Sequence, residues 1–171
     1  MAQTDAAQAG TEAAQDQVRW LSEPEQVAWR NWISGSTVLT RSLERELVQH
    51  FDITMDDYAL LVLLSENEDR SARMSELADD AIVPRPQVTY RISRLEKRGI
   101  VERRPCSTDA RGTEAHLTDA GFALLEQAAR HHVTNVREMF LDHITGDEFC
   151  TLGDAMGRVH NELASREARR A

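Results

Sequence analysis

The chain has 171 residues, of which 41% are hydrophobic and 29% charged, with a formal net charge of −9. That length allows one domain with appended helices, and that acidity excludes polyanion binding except through a locally basic surface. No apolar run reaches the roughly 18 residues needed to cross a bilayer, and the two cysteines, Cys106 and Cys150, exclude a disulfide framework and suit a reducing cytoplasm.

The opening stretch, MAQTDAAQAGTEAAQDQ, is polar and aperiodic, with neither the basic start nor the apolar core of a secretion signal. Residues 1–18 therefore read as a disordered tail. Ser22-Glu23-Pro24-Glu25 is a helix start, with a hydroxyl cap, proline in the first turn and a glutamate to close a capping box. From there Trp29, Trp32, Ile33, Ser36, Leu39, Leu43 and Leu47 recur at three- and four-residue steps. This is one apolar seam on a long helix ending near His50.

Thr54 with Asp57 opens a second helix through Tyr58, Leu61, Val62 and Leu64, and the polar stretch Glu66 to Ser71 breaks it. Ser75 is expected to cap a short third helix, SELADDA. A fourth runs from about Arg85 to Arg98 with Val88, Ile92 and Leu95 inward, and Gly99 supplies a left-handed stop. Ile100 to Arg104 and Glu114 to Leu117 read as two strands of a hairpin with a long polar tip. Thr118 caps a fifth helix carrying Phe122, Leu125, Val133, Val136, Phe140 and Leu141. Thr145-Gly146-Asp147-Glu148 opens a last one with Phe149, Leu152, Met156, Val159 and Leu163.

The predicted class is mainly α with a small β-hairpin wing: a winged helix-turn-helix with N- and C-terminal dimerisation helices. Its parts are expected at residues 1–18 (tail), 19–53 (N-terminal dimerisation helix), 54–118 (DNA-binding lobe) and 119–171 (C-terminal dimerisation helices). The outer helices hold more apolar surface than so small a lobe can bury, which predicts a homodimer. Charge points to the same lobe. Between Pro84 and Arg111 stand eight basic residues (Arg85, Arg91, Arg94, Lys97, Arg98, Arg103, Arg104 and Arg111) against three acids (Glu96, Glu102 and Asp109). A net +5 in a chain of −9 leaves −14 elsewhere, a stripe suited to double-stranded DNA.

The segments RMSELADDAIVPRPQVTYRISRLEKRGIVERR and CSTDARGTEAHLTDAG resemble the helix-turn-helix and wing of the MarR family of bacterial transcription regulators. The likeness spans about Trp29 to Phe149, and Asp109-x-Arg111-Gly112 at the wing tip is its most specific element. The resemblance implies a homodimer in which Arg111, braced by Asp109, enters the minor groove while the helix from Arg85 lies in the major groove. Expected DNA contacts are Arg85, Gln87, Thr89, Tyr90, Arg91, Arg94, Arg103, Asp109 and Arg111. Physics supports this: guanidinium groups favour the narrow minor groove, and Arg and Gln pair with guanine and adenine edges. Pro84 and Pro86 replace serines common in the family, and Ala110 replaces a common arginine, which puts some phosphate contacts in doubt.

The resemblance also implies a small aromatic effector, for which Trp29, Trp32, Tyr58 and Arg73 are the candidate pocket; helically spaced aromatics serve equally as core or dimer interface. His50, His116, His131, His132, His143 and His160 show no tight ligand spacing, so they read as surface residues and no metal or cofactor is expected. With no phosphate-cradling glycine loop and no GxSxG elbow, the chain reads as no enzyme. The expected function is a homodimeric, sequence-specific regulator, a repressor at a pseudo-palindromic operator, cytoplasmic on the nucleoid and not at a membrane. The competing readings are a zinc- or thiol-redox-responsive regulator of this fold, the latter through Cys106, and a winged-helix protein-interaction module.

Overall fold

The computed structural model describes residues 18–81, 85–106 and 112–169. The predicted tail up to residue 17 and the wing-tip residues Asp109 and Arg111 lie outside them. Helices α1 (Glu23–Phe51) and α2 (Met55–Ser65) precede a short strand, α3 (Met74–Asp80) and α4 (Arg85–Lys97) follow it, and two more strands lead to α5 (Asp119–Met139) and α6 (Gly146–Ala168). Three strands, β1 (Ser71–Arg73), β2 (Val101–Pro105) and β3 (Thr113–Leu117), form an antiparallel sheet of order β1-β3-β2. Among the described residues no helix is long and apolar enough to cross a membrane.

Two compact units divide the chain, Met1–Ser36 and Thr37–Ala171. In the first, the Ser22 hydroxyl and N–H both donate to the Glu25 carboxylate at 2.7 Å, so the predicted helix start is present. Trp20, Trp29 and Ile33 are exposed in this unit. The second unit carries the core. Leu47 of α1, Leu60, Leu61 and Leu64 of α2, Leu77 of α3, Val88, Ile92 and Leu95 of α4, and Leu117 and Leu125 pack into one cluster. The predicted seam on α1 is thus buried only at Leu43 and Leu47.

Local chemistry accounts for the boundaries. Thr54 and Asp57 close a reciprocal capping box at the start of α2. Helix α4 ends in a Schellman turn: the Ile100 N–H donates to the Leu95 carbonyl and the Gly99 N–H to that of Glu96. Gly99 sits at φ +71°, the left-handed region that glycine enters without a Cβ clash. Thr145 and Glu148 box the start of α6.

Three expectations are corrected. The sheet has a third strand, because Ser71, Ala72 and Arg73 pair with His116, Ala115 and Glu114. Three polar-flanked residues show no alternation to read, and the strand exists only because β3 offers an open edge. Arg70 anchors it, placing its guanidinium 3.8 Å from the Phe122 ring centroid and 3.2 Å from the Asp119 carboxylate. Helix α3 is capped two positions early, at Arg73, and Ser75 lies inside the helix. Helix α5 ends at Met139, and Leu141–His143 forms a short 3-10 turn, which removes Phe140 and Leu141 from the predicted α5 face.

The sheet, α4 and α5 meet at a single backbone junction. The Thr118 hydroxyl accepts from the Gly121 N–H at 3.0 Å and donates to the Gly99 carbonyl at 2.7 Å, while the Thr118 N–H donates to the Ile100 carbonyl at 3.1 Å. A Cβ on Gly121 would stand 2.1 Å from the Ile100 carbonyl oxygen and 2.7 Å from Leu117 Cδ1. Backbone cannot yield as a side-chain tip can. Gly121→Ala is therefore expected to lower the unfolding free energy by about 3 kcal/mol, read as a lower urea midpoint.

Candidate nucleic-acid interface

Helix α4 is placed by its apolar stripe. Val88 and Ile92 are fully buried and Leu95 nearly so, which commits the opposite face to solvent. Gln87, Thr89 and Tyr90 are exposed there, near the helix start, and Tyr90 retains 64% of its surface. These side chains combine donors, acceptors and a flat ring on a rod narrow enough to enter a major groove.

The arginines divide into two groups. Arg91 faces α2, with a side chain only 15% exposed. It donates to the Thr54 hydroxyl at 2.8 Å and to Asp57 Oδ1 at 3.3 Å, and it also pairs with Asp56. Asp57 is fully buried, accepts the Thr54 N–H at 3.0 Å and lies 3.7 Å from Arg94. Two guanidinium groups and a cap thus surround one carboxylate, the arrangement a buried charge requires.

Arg103 is also engaged. From β2 it donates to Glu96 at 3.0 Å, to the Ser93 hydroxyl at 2.8 Å and to the Thr89 carbonyl at 3.1 Å. This ties the first wing strand along the back of α4. Arg98 donates to the Phe51 carbonyl at 3.1 Å and to that of Asp52, closing the C-terminal carbonyls of α1. Arg104 pairs with Glu102. Of the basic stripe, the Arg94 side chain is 38% exposed and Lys97 is exposed. Sequence alone made these arginines one cationic face, whereas acids from α2 and α4 convert several of them into braces.

Tyr58 and Arg73, expected at an aromatic effector, both lie in the larger unit and have different surroundings. Tyr58 stacks on His132 with ring centroids 4.9 Å apart, and burial pushes the Tyr58 phenol pKa up. Burial, and then the neighbouring charge of His131, holds His132 below the ordinary imidazole value. Arg73 instead borders an open cleft of about 480 Å³ with Met74, Ser75, Thr89, Arg103 and Thr113. Trp29 and Trp32 belong to the N-terminal unit and are 56% and 37% exposed. Cys106 is buried at the wing base and Cys150 exposed. His50 and His131, which their spacing leaves unrelated, are brought together with Glu46.

A family model described as MarR family matches residues 53–113. The fold is similar to the crystal structure of AbsC, a MarR family transcriptional regulator from Streptomyces coelicolor, with 37% identity and a TM-score of 0.80 over 86% of this chain and 99% of that one. It is similar to Sco3205, a MarR family transcriptional regulator from the same organism in complex with DNA, with 38% identity and a TM-score of 0.81 over 86% of this chain and 92% of that one. The HTH-type transcriptional regulator PecS from Dickeya dadantii (strain 3937) is 32% identical over 91 residues, 53% of this chain; the match spans about half of PecS, 54%.

The bracing role of Arg91 separates from any role at DNA by its effect on the free protein. Arg91→Ala strips a fully buried carboxylate of its closest cation and is expected to cost about 3 kcal/mol of stability, whereas Gln87→Ala, on the exposed face, changes stability by less than about 0.5 kcal/mol. Urea unfolding followed by circular dichroism measures both, in the absence of DNA.

Proposed function

The chain belongs to the MarR family, whose members are DNA-binding transcriptional regulators and not enzymes, and from that premise we propose that it acts as a homodimeric repressor at a pseudo-palindromic operator. The observation that carries this reading is the helix α4, whose polar face is open to solvent while its other faces are fixed by packing and by Arg91 and Arg103. A reading helix must be held rigidly, since misplacing it by an ångström breaks bidentate contacts to bases.

In this reading Gln87, Thr89, Tyr90 and Arg94 contact bases and phosphates in the major groove, with Arg85 at the start of the helix. Arg91 and Arg103 contribute by holding α4 to α2 and to β2. Arg111, braced by Asp109, enters the minor groove from the wing tip, as the sequence resemblance implies. Apolar residues exposed in a single chain support dimerisation: Phe149, Val159 and Leu163 are each 43–53% exposed along α6, and burying them in a partner is favourable by about 25 cal/mol per Å². Two copies would place their α4 helices about 34 Å apart, one turn of duplex.

Release by a small aromatic effector belongs to the same proposal. Such a ligand acts only by favouring a dimer with wrongly spaced helices. The cleft bordered by Arg73, Thr89 and Arg103 supports it, because a carboxylate there would sit between the wing and α4.

Selection of bound fragments from the source genome yields the operator, and a mobility-shift assay on it tests the residue roles. Arg111→Ala is expected to weaken binding by at least about tenfold, the loss of one well-placed base-groove contact, with an unchanged thermal melt. Unaltered affinity in that variant, or a wild-type chain that runs as a monomer and retains no fragment at low salt, would reject the reading.

A further inference from the structure

Away from α4, three metal-binding side chains converge where the end of α1 meets α5. Glu46 and His50 stand one turn apart on α1 and so share a face. His131 arrives from α5, 85 positions beyond Glu46. Its Nε2 lies 3.2 Å from Glu46 Oε2, and His50 Nδ1 lies 3.6 Å from that same oxygen. One donor atom from each residue falls within 4.8 Å of the other two.

Zinc in tetrahedral sites binds imidazole nitrogen and carboxylate oxygen at about 2.0–2.1 Å, which spaces neighbouring donors about 3.3 Å apart. Two edges of that figure are thus already close to length. The imidazole rings of His50 and His131 are 4.4 Å apart between centroids, and Phe51 packs edge-on against His131 at 5.6 Å, which limits the rotamers both histidines can take. Side-chain exposures of 22% for Glu46, 29% for His131 and 51% for His50 leave the cluster open to an ion. A lone Glu–His pair would explain one short contact. Two imidazoles converging on one carboxylate oxygen match the mixed N/O donor set of zinc-class divalent cations.

We propose that Glu46, His50 and His131 form a three-residue site for a divalent transition metal of the zinc class, with the remaining coordination position open to water. Binding there links α1 to α5. At His50 Nδ1 the metal bond replaces the present 3.0 Å contact with the Glu46 carbonyl. This inference is independent of the DNA-binding reading, and either can fail alone.

The test titrates metal-stripped full-length protein with zinc by calorimetry and with cobalt by visible absorption. One ion per chain is expected, with the d–d spectrum of four- or five-coordinate cobalt and a melting temperature raised by zinc. His50→Ala, His131→Ala and Glu46→Gln should each lower affinity at least about tenfold. His160→Ala and Cys150→Ser, both at exposed positions on α6, should leave it unchanged. Glu46→Gln preserves length and packing, so it keeps the test decisive if an alanine variant fails to fold. Absence of zinc binding at micromolar concentrations, retention of wild-type affinity in Glu46→Gln, or loss of binding in His160→Ala or Cys150→Ser would overturn the assignment.

Discussion

The buried carboxylate of Asp57 organises the packing of α4 on α2. A charge removed from water costs several kcal/mol unless it is compensated, and here the compensation comes from three directions. Thr54 caps it from the start of α2, Arg91 reaches it from the middle of α4, and Arg94 approaches from the next turn. One charged atom group thereby fixes the angle and the register of α4 on α2. Apolar packing of Val88, Ile92 and Leu95 sets how deeply α4 sits, but hydrophobic contact is non-directional. The ion pairs add the direction.

A second set of bonds extends this order into the wing. Arg103 spans from β2 to Glu96, Ser93 and the Thr89 carbonyl, so the strand leading to the wing tip moves with α4 as one piece. At the base, Thr118 joins the Gly99 turn to α5, and the glycine at position 121 lets the Ile100 carbonyl approach where a Cβ would collide. In the proposed mode of action this coupling has a purpose: helix and wing address two grooves of one duplex, and their separation has to be constant for both to engage.

Cationic composition alone overstates how much of such a surface is available to phosphate. Arg91, Arg98 and Arg103 spend their donors on Asp56, Asp57, Glu96 and backbone carbonyls, and Arg104 pairs with Glu102. Among the described residues, the first turns of α4 expose Gln87, Thr89 and Tyr90, which are neutral. In the proposed mode of action, each described arginine held by an acid is one fewer cation for phosphate, which shifts the balance toward base contacts.

The starts of α1, α2, α5 and α6 and the glycine stop of α4 were legible in the sequence, because they depend on interactions within about five residues: Thr54 with Asp57, Thr145 with Glu148, Leu95 with Ile100; the cap of α3 and the end of α5 carried no such local signal. The inward face of α4 was legible for the same reason, since periodicity alone assigns it. The partners of each arginine were not, because Arg91 meets residues 34 to 37 positions away, and no local pattern encodes which acid lies opposite. Strand β1 has no signal of its own and arises from an open edge on β3. Glu46, His50 and His131 are likewise a product of packing, in which His131 of α5 meets the last turns of α1 and joins donors that chain distance separates. Short-range covalent and hydrogen-bond geometry therefore determined the elements, while only the folded chain decided which charges pair and which remain free.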